Sequence, residues 1–368
     1  VVLKADCRHF PGDRPCVYNK QFGMLCDHCV FYKTPKSRIL IIKLDAAGDV
    51  LRTTCILQPL REAYPECEIT WVTRRISLPL LENNPLIDRL LTYEDSDIAM
   101  YMLAEHFDVV ISPDNSKETA LLSSTTAAEK RYGFTYTPQG KIKALSTAAE
   151  HWMELGAFDQ RKRQNITSYQ DILLAICDLP SYNKNLVLEL TPEELKYAHL
   201  RIPNNGKRVV GINTGASYRW QLKQWTIEGW KSLIAKLYKD DVYIALYGGP
   251  QESERNEELL HFFPNMFDMG TNNTLRQFFA LLTLSDVIVT GDTLAMHAAT
   301  ALGKKIVAYF GPTSSAEIYD YHGQILKVTS DMPCLVCYKQ KCDFDPNCMN
   351  TLSATKMYDA ITKQLNKL

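Results

Sequence analysis

The stretch that most constrains what this chain can fold into is DVIVTGDTLAMHAATALGKKIVAYFG, residues 286–311. Residues 286–290 are an apolar, β-branched run of strand character, Gly291 breaks it, and from Asp292 small and apolar residues recur at helical spacing to Leu302. A second strand is expected at residues 305–310. Strand, tight turn, helix and strand in so short a span make one unit of a parallel α/β sheet, and such sheets bind ligands at the carboxyl ends of their strands. The turn Asp292, Thr293, Leu294, Ala295 is then a seat for an anion, because the first backbone N–H groups of a helix lack intrahelical partners and the helix dipole is positive there. The plainer reading of Asp292 is a helix cap.

The chain has 368 residues, enough for two domains with separate cores. Its net charge of −1 gives no footprint for nucleic acid, and 46% apolar with 23% charged residues describes an ordinary globular protein. No apolar run approaches the roughly 18 residues that span a bilayer, and no leader pattern precedes the first element, so a cytoplasmic location is expected.

Eight of the eleven cysteines fall into two groups: Cys7, Cys16, Cys26 and Cys29, and then Cys334, Cys337, Cys342 and Cys348. Each group holds a C-x2-C pair, which lets two thiolates turn towards one ion. In a reducing compartment these sets favour structural zinc or iron, whereas an exported chain would favour disulfides. Cys55 and Cys177 lie in apolar helical runs and are expected to be core thiols; Cys67 is unassigned.

Residues 38–44 (RILIIKL) read as a buried parallel strand, followed by the turn Asp45 to Gly48 and a helix headed by Asp49. Further strands are expected at 68–73, 89–92 and 108–112, and a helix at 168–177; residues 131–167 stay open. Asp49 is either a cap or a carboxylate at the strand edge that takes a proton from a substrate hydroxyl. Arg52, Arg74 and Arg75 either hold an anionic acceptor or are solvated surface charge. Periodicity weakens over 178–207, apart from a short helix near 192–200, and a domain boundary is expected there. Beyond it, strand 208–213 leads into Thr214, Gly215, Ala216 and Ser217, a small-residue loop suited to phosphate approach, and then to Lys223. Strand 242–247 ends in Gly248, Gly249 and Pro250, before an acidic helix with Glu252 and Glu254; a strand at 266–269 and a helix at 275–284 follow.

IIKLDAAGDVLRTTCILQPLREAYP, GINTGASYRWQLKQWTIEGW, YGGPQESE and VTGDTLAMHAATALGKKIVAYFGPTS, in that order, resemble glycosyltransferase family 9, the ADP-heptose:lipopolysaccharide heptosyltransferases, over about residues 38–330. The resemblance implies an α/β GT-B fold, two Rossmann-like domains facing a cleft, to which the cysteine groups read above add cysteine-rich segments at both ends. The expected division is a cysteine-rich segment at 1–37, an acceptor domain at 38–190, a nucleotide-sugar donor domain at 206–330, and a cysteine finger with a terminal helix at 331–368.

Carried over residue by residue, the family's general base falls on Asp49 and its phosphate-contacting lysine on Lys223. The ribose-binding acid falls on Glu252, with Glu254 the alternative, beside Thr214, Gly215 and Gly248. The pyrophosphate turn falls on Asp292, Thr293, Leu294, Ala295 and His297, of which His297 is expected mainly to pack. Most relatives have glycine where this chain has Leu294, which leaves the sugar open. The resemblance implies inverting transfer without a catalytic metal, from ADP-heptose to a glycan, lipopolysaccharide or protein acceptor, in the cytoplasm and peripheral to the inner membrane of a bacterium. The cysteine group at 334–348 is similar in position to an iron-binding finger of autotransporter heptosyltransferases. Another GT-B transferase, a GT-B-like epimerase and a non-enzymatic scaffold are the alternatives.

Overall fold

The computed structural model describes every residue except Val1, Asn204 and Ser217, and the side chains of residues 218–220. Its core is two six-stranded sheets. The first holds β1 (Arg38–Ile42), β2 (Glu68–Thr73), β3 (Arg89–Thr92), β4 (His106–Ser112), β5 (Ala127–Tyr136) and β6 (Ile142–Ala144) in the order β3-β2-β1-β4-β5-β6. Only the β5 to β6 pairing in it is antiparallel. The second holds β7 (Arg208–Asn213), β8 (Val242–Tyr247), β9 (Phe267–Asp268), β10 (Val287–Gly291), β11 (Lys305–Phe310) and β12 (Ile325–Thr329), ordered β12-β11-β10-β7-β8-β9 and parallel throughout.

Read from its own first strand, each sheet has the same doubly wound order, with a switch point between β1 and β4 in one and between β7 and β10 in the other. The central strands read as unbroken apolar runs because helices cover both faces. Ile39 to Ile42 in β1 and Val287 to Val289 in β10 are all fully buried. This is the two-domain α/β architecture expected from the alternating pattern.

The expected strands and helices recur with shifts of a residue or two at their ends. The larger differences concern the two aspartates and residues 131–167. Helix Ala47–Thr53 has Ala46 at its N-cap and helix Leu294–Ala301 has Thr293, neither with a side-chain cap bond, so Asp49 and Asp292 cap nothing. Residues 131–167 complete the long strand β5, its hairpin partner β6, and helices Thr147–Ala157 and Asp159–Gln164. The hairpin is antiparallel and partly exposed, which is why the buried-strand pattern failed there.

Two packing devices bear on the site. Trp225 is buried against Trp230 and Tyr309, with ring centroids 4.8 and 6.0 Å away, and a Cβ on Gly229 would lie 2.4 Å from its ring. Glycine at 229 therefore makes room for the indole that anchors the chain two residues after Lys223. At the boundary, helix Pro192–His199 opens with a Thr191/Glu194 capping box. Arg276 of the second half grips Glu194 at 2.6 Å and donates to the carbonyl of Pro79 in the first half at 3.0 Å, joining both halves to the connector.

Candidate active site

The turns after β1 and β10 face one another at the seam between the halves, a crevice where His297 lies against Gly48 and Arg52 reaches the Glu317 carbonyl. In the first half, the turn after β1 leads into helix Ala47–Thr53, with Asp49 in its first turn. The Asp49 carboxylate keeps about a third of its side chain exposed and accepts from the Arg52 guanidinium at 3.1 Å. Burial alone would raise its pKa, but Arg52, and then Lys43 and His297, outweigh that and hold it below the usual aspartate value. An acid at this place is ionised at neutral pH and points at the crevice.

Arg52 is buried, and its charge is distributed over three partners. It pairs with Asp49, donates to the Glu317 carbonyl at 2.8 Å, and lies 4.0 Å from the Tyr169 ring centre. Of the three arginines expected near an acceptor, Arg52 alone is at the crevice, and it grips the acid. Arg74 pairs with Asp45 at 2.7 Å, and Arg75, mostly exposed, pairs with Asp95 at 2.8 Å.

In the second half, Lys223 extends its ammonium to the Asp292 carboxylate at 2.7 Å. Burial pushes Asp292 upward, yet Lys223 and His297 bring it below the ordinary value, so the pair is ionic. Helix Leu294–Ala301 starts beside this pair and presents the first-turn N–H groups near Leu294 and Ala295. Leu294 is half-buried against the core.

His297 reaches across to the first half. A Cβ on Gly48 would lie 3.0 Å from its ring carbon Cδ2. Burial, reinforced by Arg52, lowers its pKa to about 3, so the ring is neutral at ordinary pH. It touches Gly48, feels the charges of Asp49 and Asp292, and so packs and sits in the crevice at once.

The turn after β7 and the end of β8 form a second recess. Thr214 is buried and donates its hydroxyl to Asn256 at 2.7 Å. Beside it, Gly215 and Gly248 lie so close to Glu252 that a Cβ on either would meet that side chain at 3.2 and 2.9 Å. Glu252 is buried; its Oε2 accepts from Gly249 N–H at 2.9 Å, while its Oε1 has no partner among the described residues. A buried carboxylate oxygen without a donor suits a ligand hydroxyl. Glu254 is exposed, which separates the two candidates. Ser217 lies outside the described residues.

Several residues here escaped the sequence reading. Lys43 is buried and its ammonium bonds the Asp114 carboxylate and the Asp45 carbonyl; burial would strip its charge, but Asp114 and, further off, Asp49 keep it charged. A lysine inside the apolar run RILIIKL was the available signal. Arg255 donates to the Thr214 carbonyl at 2.9 Å and to Gln224 at 2.5 Å, tying the phosphate-type loop to the Lys223 segment. Tyr338 accepts from Ser314 N–H and donates to the Glu317 carboxylate, each at 3.0 Å, and it belongs to the cysteine-rich loop. That loop is thereby one residue removed from the carbonyl that holds Arg52.

All eleven cysteines are free in this structure. Cys55, Cys67 and Cys177 are buried. Burial raises the Cys348 thiol to about 11, and Cys337, Cys342 and Cys334 are near enough to add to the effect. Among the described residues, no three of His, Cys, Asp or Glu stand gathered as a metal ion requires. Among them also, no helix is long and apolar enough to cross a membrane.

The model of glycosyltransferase family 9 (heptosyltransferase) matches residues 98–347. The lipopolysaccharide core heptosyltransferase OpsX of Haemophilus influenzae is 22% identical over 78% of this chain and 83% of its own length. Among solved structures, the glycosyl transferase family 9 protein of Veillonella parvula superposes with a TM-score of 0.74 at 18% identity, covering 91% of this chain and 98% of that one. The E. coli ADP-heptose lps heptosyltransferase II gives 0.65 at 16% identity, covering 90% and 99%. These likenesses show the GT-B fold.

Proposed function

This chain belongs to glycosyltransferase family 9, and we propose that it transfers heptose from ADP-heptose to a lipopolysaccharide-core or other cell-surface glycan acceptor. The observation that carries this reading is the facing of two opposite devices. Asp49, kept ionised by Arg52, looks across the crevice at the Lys223/Asp292 turn and the start of helix Leu294–Ala301. The names of the relatives, lipopolysaccharide core heptosyltransferase and ADP-heptose lps heptosyltransferase, support the choice of sugar and acceptor.

In this mechanism Asp49 accepts the proton of the acceptor hydroxyl as its oxygen attacks the anomeric carbon. The bond from that carbon to the pyrophosphate oxygen breaks, and its electron pair leaves with ADP. Lys223 and the helix-start N–H groups meet the growing negative charge, without a divalent ion. Glu252 Oε1 accepts from a ribose hydroxyl, with Thr214, Gly215 and Gly248 shaping the recess. Attack opposite the leaving group inverts the anomeric centre. With this donor and acceptor, the enzyme would work in the cytoplasm, at the inner face of the membrane that carries its acceptor.

The test is transfer from ADP-heptose to a heptose-free lipopolysaccharide core in chelator, with the anomeric configuration of the product read by NMR. Inverted product at an undiminished rate is expected. No transfer, together with no ADP binding by calorimetry, would overturn the reading. Leu294 favours a second reading in which the sugar differs, and the same assay with UDP- and GDP-sugars decides it.

A further inference from the structure

Residues 2–37 are built unlike the rest of the chain. None of them is buried, and none joins an apolar cluster of either half. Their regular structure is one six-residue helix, Val17–Phe22, and one short turn of 3-10 helix, Cys26–His28. Ordering this backbone costs conformational entropy, and no buried apolar cluster is present here to offset it.

Within this segment there is one small cavity, of about 30 Å³, and Cys7, Cys16, Cys26 and Cys29 all line it. The other walls include His9, Tyr18 and Phe31, with the Tyr18 and Phe31 rings stacked at 3.9 Å. The volume suits a single water-sized or ion-sized occupant. The four thiols come from three separate places in the chain, the last two from the C-x2-C turn, and none is in a disulfide. Cys16 Sγ already accepts from the Asn19 N–H at 3.4 Å, the kind of bond that supports a thiolate.

We propose that this cavity takes one thiophilic divalent metal ion, Zn²⁺ or Fe²⁺, held by Cys7, Cys16, Cys26 and Cys29. As they stand, the sulfurs line the cavity without closing to ligand distance. Bonds of about 2.3 Å require the four side chains to turn inward, and each thiol gives its proton to solvent as it binds. The site is structural. Arg8 pairs with Asp88 just before β3, and Lys36 with Glu66 just before β2 at 2.7 Å, so the segment rides on the amino ends of the strands, away from the crevice. The proposal does not depend on the transferase reading.

The experiment uses the full chain, purified without a metal-affinity tag, with zinc and iron measured per chain. The double variant Cys26→Ser/Cys29→Ser is expected to lose one ion relative to the unaltered protein, whereas Cys334→Ser/Cys337→Ser keeps that ion. The element lost distinguishes zinc from iron. A second arm needs no variant: stripping by a chelator is expected to speed proteolytic cleavage within residues 2–37 at least tenfold, and added Zn²⁺ or Fe²⁺ to restore protection. Equal metal content in the unaltered protein and the Cys26/Cys29 variant, or cleavage indifferent to stripping and metal, overturns the proposal.

Discussion

The two halves share one strand order and put their functional turns at equivalent switch points, yet they expose opposite chemistry. In the first half, an arginine is buried and its acid partner is left facing the crevice. In the second, a lysine from the segment after β7 reaches an aspartate in the turn after β10, beside the start of a longer helix. The difference lies in which member of an ion pair the fold covers. Arg52, buried beside Asp49, keeps that carboxylate ionised, whereas Lys223 is paired with Asp292 next to a helix start.

The largest expected effect breaks the first half alone. Asp49→Asn should lower turnover by roughly 10²–10⁴-fold while ADP affinity stays within error, measured by initial rates and calorimetry. Near-normal turnover would remove Asp49 from the base role. Lys223→Ala is the mirror experiment: ADP binding should weaken by roughly ten- to a hundredfold, the loss of a charge-assisted bond of about 1.5–3 kcal/mol, and turnover should fall with it.

Arg52→Gln sharpens the comparison through pH. Asp49 must be ionised to act, so activity is lost as pH falls through its depressed pKa; without Arg52 that acid limb should move upward towards the ordinary aspartate value. A limb that stays put would show that Arg52 does not tune the base.

Tyr338→Phe should cost a few-fold in turnover, about 1 kcal/mol, with ADP affinity unchanged, because it releases the Glu317 carboxylate rather than any donor contact. The last test reads stability rather than turnover and concerns His297. Its folded pKa is about 3 against an unfolded value near 6.5, so the unfolded chain binds the extra proton between them. Stability from this group is complete above about pH 6.5 and lost as pH falls towards 3; His297→Asn should flatten that part of a melting-temperature profile.

The sheets were legible because buried parallel strands are continuous apolar runs bounded by small residues, as in RILII and VIVTG. Asp49 and Asp292 stand close after the ends of β1 and β10, where the strand, turn and helix pattern put them. Two aspartates looked like caps, since Asp at a helix start is ambiguous until backbone geometry shows which residue precedes the first turn. Tyr338, Glu317 and Arg276 could not be found, because they act on residues distant in sequence through single hydrogen bonds. Their local surroundings carry no periodicity to mark them.

The edge of the His297 imidazole lies over the bare α-carbon of Gly48. That contact between the halves pairs an uncharged ring with a missing side chain, so it offers salt nothing to screen, unlike the Arg276 ion pair at the connector.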